Sequence, residues 1–249
     1  MMSSYRKFAR VYDKIGSDNF SVKMFHYTKR ILSRLRYRPK SILDLACGTG
    51  TAAVMWARKN TEVFGIDASA DMLAMAAKKA TKEKVKLILS QSPMTSFSIP
   101  QQVDLVTCYF DSLNYVLSLD DLKKVFTCVN RALYPGGYFI FDVNTPEAMK
   151  VLWGSEIYAD ETEDVAWIWK NCYYPKAKQA EVKATFFVRK GKIWERFDEI
   201  HAERGYTATE IKAVTQTSGF KLVSLYNCLK FSKPKRDSMR IAAVVQKPH

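Results

Sequence analysis

No apolar run in the 249 residues approaches the ~20 residues that a membrane-spanning helix needs. The opening residues, MMSSYRKFAR, contain no apolar stretch of the kind that directs secretion, so no signal peptide is expected there. Cysteine is sparse. Cys47, Cys108, Cys128, Cys172 and Cys228 lie far apart, without a Cys-x-x-Cys pair. That spacing argues against a disulfide framework and against zinc, so no metal is expected, and it fits reduced, mostly buried thiols in a cytoplasm. Repeats and low-complexity tracts are absent, which leaves a globular chain. A hydrophobic fraction of 47% supports one sizeable core, or one core with an appendage.

Acidic residues are scarce relative to basic ones, giving a net charge of +14. Its distribution is uneven: +9 in residues 1–40, 0 in 41–145, −1 in 146–202 and +6 in 203–249. An excess at the two ends is compatible with an anionic partner such as nucleic acid. It is equally the charge of solvated helix faces, and no aromatic-basic nucleic-acid motif accompanies it.

From residue 41 short apolar runs alternate with helical stretches. Strands are expected at 42–46, 63–67, 85–90, 103–110 and 138–143, with helices at 50–59, 70–82 and 119–133. The runs at 103–110 and 138–143 are almost wholly apolar, as in strands covered on both faces. Such alternation predicts a parallel α/β sheet. Period-two patterning then appears: Val182, Ala184, Phe186 and Val188 alternate with polar residues, and a turn at Gly191 makes a hairpin. Residues 146–202 are therefore expected to form a small antiparallel insertion. A helix at 207–218 and strands at 221–226 and 240–246 complete the chain. The first 40 residues are expected to form two helices. In the second, Met24, Thr28, Ile31, Leu32 and Leu35 make an apolar stripe.

The stretch SILDLACGTGTAAVMWA links the first strand to the first helix through a glycine turn. Backbone N–H groups at such a turn face a nucleotide-type ligand. Gly48, Gly50 and Ala53 are compatible with a dinucleotide fingerprint. Asp44 is not: a carboxylate there repels pyrophosphate and suits an amino group. Asp67 ends the second strand, 17 residues after Gly50, near the spacing of a ribose-binding acid. It can accept both hydroxyls of a diol; a helix cap is its ordinary alternative.

Together with VFGIDASADML, VDLVTCYFDSLNYV, LYPGGYFIFDVNTP, FARVYDKI and RFDEIHAERGYTATEIKAVTQTSGF, that stretch resembles the class I S-adenosylmethionine-dependent methyltransferases, specifically a bacterial small-molecule-type subgroup with an inserted sheet. The resemblance runs along nearly the whole chain. It implies a Rossmann-like, doubly wound, mostly parallel seven-stranded sheet built from residues 1–145 and 203–249, with the insertion 146–202 as a substrate lid and residues 1–40 as helices covering the site. It implies S-adenosylmethionine as cofactor, S-adenosylhomocysteine as product and a cytoplasmic location. Ala46, Gly48 and Gly50 would line the methionine moiety, with Asp44 on its ammonium side and Asp67 on the ribose. Ala68 and Met72 would pack on adenine, and Ser92 and Met94 would meet its edge. Tyr109 to Asp111 would lie near the methyl donor and the substrate, and Tyr12 would cover the cofactor. Pro93 stands where many relatives carry an acid for the adenine amine, so Ser92 or a backbone carbonyl must serve.

Methyl transfer needs alignment, a dry pocket and, for some acceptors, a base. Asp111, His201, Glu203 and Tyr206 are the candidate bases; a hinge role is open for His201. Arg204 could clamp an acceptor carboxylate or phosphate, or pair with a neighbouring acid. Trp167 and Trp169 share one strand face and offer either a substrate wall or lid packing. No Asn-Pro-Pro-Tyr-like run follows the fourth strand and Cys108 has no Pro-Cys context, so base-amino and covalent cytosine chemistry are not indicated. A small-molecule acceptor, methylated on N or O, is the leading expectation. An RNA- or protein-directed enzyme using Lys23, Arg30, Arg34, Arg36 and Arg38, a non-catalytic cofactor-binding regulator, and more distantly a dehydrogenase are the alternatives. Nothing in the sequence specifies an oligomeric state.

Overall fold

The structure, a computed structural model, describes residues 5–249; residues 1–4 of the expected N-terminal helical segment lie outside the described residues. The first of the two expected helices is not an α-helix. Residues 5–18 form a strap with a single 3-10 turn at Phe8–Arg10, ending in turns around Gly16. The cause is distant in sequence: the N–H groups of Tyr5, Lys7 and Phe8 all donate to the Glu199 carboxylate, at 2.7, 3.0 and 3.0 Å. α1 (Asn19–Leu35) follows, and buries the expected stripe of Met24, Thr28, Ile31 and Leu32.

β1 (Ser41–Leu45), α2 (Thr51–Ala57), β2 (Glu62–Asp67), α3 (Ala70–Lys82), β3 (Ile88–Gln91), β4 (Val103–Cys108), α4 (Leu119–Ala132) and β5 (Leu133–Asn144) alternate as the apolar pattern requires. These five strands pair in parallel. β3 starts three residues later than expected because it is an edge strand, held only from Phe64↔Ile88 onward. β4 ends at Cys108 because Phe110 and Asp111 turn left-handed, with φ of 55° and 51°.

After a helical turn, α5 (Pro146–Ala148), the chain leaves this sheet. β6 (Ile157–Glu161), β7 (Val165–Tyr174), β8 (Gln179–Lys190) and β9 (Ile193–Arg204) form a second, fully antiparallel sheet. Val182, Ala184 and Phe186 are buried on one of its faces and pack with Phe8 and Val11 of the strap. α6 (Ala208–Thr217) opens with a capping box between Thr207 and Glu210. β10 (Lys221–Asn227) and β11 (Arg240–Gln246) then return to the first sheet, β11 pairing antiparallel with β5 and β10 antiparallel with β11. Its final order is β10-β11-β5-β4-β1-β2-β3, so the strand order reverses between β1 and β4. In sheets of this kind the ligand crevice lies outside the carboxyl ends of the strands at that reversal. The cysteines are all free thiols; Cys47, Cys108 and Cys128 are buried and Cys172 is exposed. Among the described residues, no helix is long and apolar enough to cross a membrane.

Candidate functional site

At the head of β1 the chain turns through three left-handed residues, Ala46, Gly48 and Gly50, with φ of 57°, 56° and 78°. A Cβ on Gly50 would lie 2.8 Å from that of Ala76, so the turn packs directly on α3. The space above Gly48 is open: no atom lies within 4 Å of where its Cβ would be. Asp67 fixes the turn. One carboxylate oxygen accepts the Gly48 N–H at 2.9 Å and the other the Ser69 N–H at 2.8 Å. Each oxygen keeps a lone pair for a diol. Asp44 is 3% exposed and accepts the Thr107 hydroxyl at 2.8 Å. With no cation beside it, burial pushes its carboxyl up to about 7. An open glycine turn between two desolvated carboxylates fits a nucleoside with a cationic amino-acid tail and does not fit a pyrophosphate.

Ala68 is exposed and Met72 buried at the start of α3. The Ser92 N–H donates to the Asp67 carbonyl at 3.1 Å, bringing that turn beside the same pocket, and Met94 packs half-buried on the sheet core. Tyr12 stacks obliquely on Phe8, with ring centroids 5.2 Å apart. Ser69 Oγ donates to the Tyr5 carbonyl at 2.9 Å, so the strap is tied to the Asp67 loop.

Next to this crevice a cavity of about 510 Å³ opens between the two sheets and the strap. Asp111, His201, Glu203, Trp167, Trp169 and Tyr12 all line it. The Asp111 carboxylate receives Arg240 Nη2 at 2.8 Å and Asn144 Nδ2 at 2.6 Å. Asp142 behind it receives Arg240 Nη1 at 2.5 Å and the N–H groups of Phe110 and Asp111. His201 Nδ1 meets the Tyr115 hydroxyl at 3.0 Å, and that hydroxyl meets Tyr5's at 2.6 Å. Burial lowers His201 to about 4, so its ring is neutral at physiological pH. Glu203 is 2% exposed, and burial raises its carboxyl well above the usual range. Among the described residues, five buried polar atoms of cavity-lining residues have no hydrogen-bond partner: Glu203 Oε2, His201 Nε2, Trp169 Nε1, Asn171 Oδ1 and Asn144 Oδ1.

Three expected site residues stand elsewhere. Tyr206 is fully buried in the core of the first sheet, and its hydroxyl donates to the Val116 carbonyl. Arg204 pairs with Glu210 at 2.6 Å and lies over the Tyr206 ring. Side chains alternate along a strand, so on β9 Arg204 faces away from His201 and Glu203. The Tyr109 ring is buried under α1, with its hydroxyl bonded to Thr28 at 2.8 Å. Phe110 and Asp111 reach the cavity instead. Sequence reasoning passed over Tyr5, Tyr115, Asn144, Glu199 and Arg240. For Glu199 the signal was present, because it shares the parity of His201 and Glu203.

Fold and site together define a class: a doubly wound α/β protein whose glycine-turn crevice suits an amino-acid nucleoside, with a separate cavity between its two sheets. The sequence profile of the methyltransferase domain family matches residues 42–137. The Bacillus subtilis protein YqeM, provisionally named a methyltransferase, is 32% identical over 98% of this chain and 97% of its own length. A crystallised S-adenosylmethionine-dependent methyltransferase from Clostridium acetobutylicum superposes with a TM-score of 0.88 at 30% identity, covering 99% of this chain and 100% of that one. A Streptomyces venezuelae dTDP-3-amino-3,4,6-trideoxy-alpha-D-glucopyranose N,N-dimethyltransferase is 25% identical, covering 73% of this chain and 76% of its own. The chain belongs to the class I S-adenosylmethionine-dependent methyltransferases.

Proposed function

We propose that this methyltransferase acts on a nitrogen or oxygen atom of a small molecule bound in the cavity between the sheets. The observation that carries this reading is the cavity itself, about 510 Å³, walled by both sheets and by the strap. That volume suits a small molecule. The aminosugar N,N-dimethyltransferase among the relatives supports the same class of acceptor.

S-adenosylmethionine supplies an electrophilic methyl group. In this reading Asp67 accepts the ribose hydroxyls and Asp44 faces the ammonium. Ala46, Gly48 and Gly50 leave room for the methionine chain, Ala68 and Met72 flank adenine, and Ser92 and Met94 meet its edge. Tyr12 covers the cofactor, and Asp111, held by Arg240 and Asn144, fixes the boundary between cofactor and acceptor. Trp167 and Trp169 of the second sheet, residues 146–202, close the acceptor side as a lid and exclude water. His201, neutral and bonded to Tyr115, lines the cavity two residues from Glu203 on β9. Arg30 and Arg34 lie over the Phe231 ring, at 4.8 and 3.5 Å, so two cations that an RNA-directed reading would use are already engaged.

The test is calorimetry with S-adenosylhomocysteine and NADH, followed by methyl-transfer assays over small amines, alcohols and bulk RNA. Binding of S-adenosylhomocysteine alone and transfer to small acceptors are expected. NADH binding would overturn the cofactor assignment, and transfer confined to RNA would overturn the acceptor class.

A further inference from the structure

The cavity's charge is not balanced. Among the described residues, three acids line it, Asp111, Asp160 and Glu203, against a single arginine or lysine, Arg240. Arg240 is already spent on Asp111 and Asp142. His201, the other titratable ring facing the cavity from β9, is neutral at physiological pH. The hydroxyl of Tyr115, beyond β4, is bonded both to Tyr5 of the strap and to His201. Glu203 is left over. Its Oε2 is buried and unpaired among the described residues, and Arg240, the cation that acts on it, is bonded to Asp111 and Asp142. A buried, half-satisfied carboxyl costs stability, and it persists where a ligand completes it. The same cavity is lined by the aromatic rings of Trp167, Trp169 and Tyr12, a ring type whose face attracts cations.

Resting on the small-molecule reading above, we propose that the acceptor is a cationic amine and that Glu203 receives first its ammonium and then its proton. Burial favours the protonated Glu203 carboxyl in the empty cavity. The entering R–NH₃⁺ offsets that cost, the carboxyl releases its proton to water, and the carboxylate so formed pairs with the ammonium. One N–H bond breaks, its electron pair stays on nitrogen, and the proton passes to the carboxylate oxygen. The lone pair so exposed is the nucleophile for methylation. Trp169 Nε1 and Asn171 Oδ1 orient the rest of the molecule, one as donor and one as acceptor. A hydroxyl acceptor of the same shape lacks the charge this wall is built to meet.

The experiment compares benzylamine with its uncharged analogue benzyl alcohol, reading tryptophan fluorescence at pH 7.5 in the wild type and in Glu203→Gln. The wild type is expected to prefer the amine by roughly 10- to 100-fold, the worth of a charge-assisted contact. The variant, of equal size, is expected to lose that preference and to keep or raise its melting temperature. Equal response to both probes in the wild type, or no response to either, overturns the proposal. So does a variant that keeps the preference but melts several degrees lower, since Glu203 is then structural. S-adenosylhomocysteine calorimetry on both proteins separates the two readings. Its absence defeats the cofactor assignment, whereas intact binding without amine preference defeats this inference alone.

Discussion

Asp67 holds the glycine turn and, in the proposed cofactor pose, the ribose through the same two oxygens. Replacing it with alanine removes the acceptors of the Gly48 and Ser69 N–H groups along with both contacts to the diol. Asp67→Ala is expected to weaken S-adenosylhomocysteine binding about 100-fold, the ~3 kcal/mol of two hydrogen bonds to a charged acceptor. Calorimetry reads the loss, and circular dichroism checks that the sheet persists. Unchanged affinity would remove Asp67 from the ribose. Asp44 makes a different prediction, in pH. Its carboxyl stands at about 7, raised from the ordinary 3.8 by burial, so it is largely protonated at pH 6 and ionised at pH 8. An ammonium binds the ionised form. Cofactor affinity should therefore rise as pH climbs from 6 to 7.5, before the ligand's own amino group, near 8, begins to lose its proton. Asp44→Asn should bind more weakly and flatten that rise; an unaltered slope would show that another group sets it.

At the scale of elements, the order of strands and helices was legible because each buried strand is a continuous apolar run and each helix a periodic one. β1, β2, β4 and β5 needed no tertiary information, and neither did the hairpin at Gly191. What stayed hidden was set by distant partners. Nothing in the sequence around Tyr5 tells that its N–H belongs to Glu199, 194 residues on. Tyr109 was misplaced because the apolar run 103–110 outlasts the strand, and the left-handed residues Phe110 and Asp111 redirect the chain beyond it. Arg204 was misplaced by neglect of strand parity, which the sequence did contain. The root of the second sheet depends on one close approach. A Cβ on Gly205 would lie 2.6 Å from the Pro146 nitrogen and 2.8 Å from the Thr145 carbonyl carbon, both of them backbone. Asn114 spans the same junction, donating to the carbonyls of Asn144 and Arg204 at 3.0 and 2.7 Å. Gly205→Ala is expected to cost ~2 kcal/mol by overpacking. It should also impair acceptor turnover more than cofactor affinity, because the junction sets the second sheet, the proposed lid, and not the glycine turn. Chemical denaturation and paired kinetic and binding measurements check both parts. A loss of cofactor affinity equal to the loss of turnover would contradict the division.

The whole molecule is held around its cavity by the strap. Tyr5 ties to the first sheet through Ser69 and to the second through Glu199, while its ring and hydroxyl complete the row to Tyr115 and His201. Phe8 stacks on Phe186 of β8, with centroids 4.6 Å apart. The strap thus lines the cavity and is tied to the Asp67 loop beside the crevice. Of its attachments the Glu199 carboxylate carries the most, accepting three backbone N–H groups at once. The aromatic contacts fix position along the groove, but they leave those donors to water once the carboxylate is gone. Glu199→Ala should therefore release the strap while the β8–β9 ladder, built from backbone pairs, remains. Trypsin should then cut faster after Arg6, Lys7 or Arg10, and S-adenosylhomocysteine should dissociate about 10-fold faster, with little change in the cofactor contacts themselves. Stopped-flow displacement and timed proteolysis measure the two effects. If both rates match the wild type, aromatic packing alone closes the molecule, and Glu199 only satisfies donors that water would serve as well.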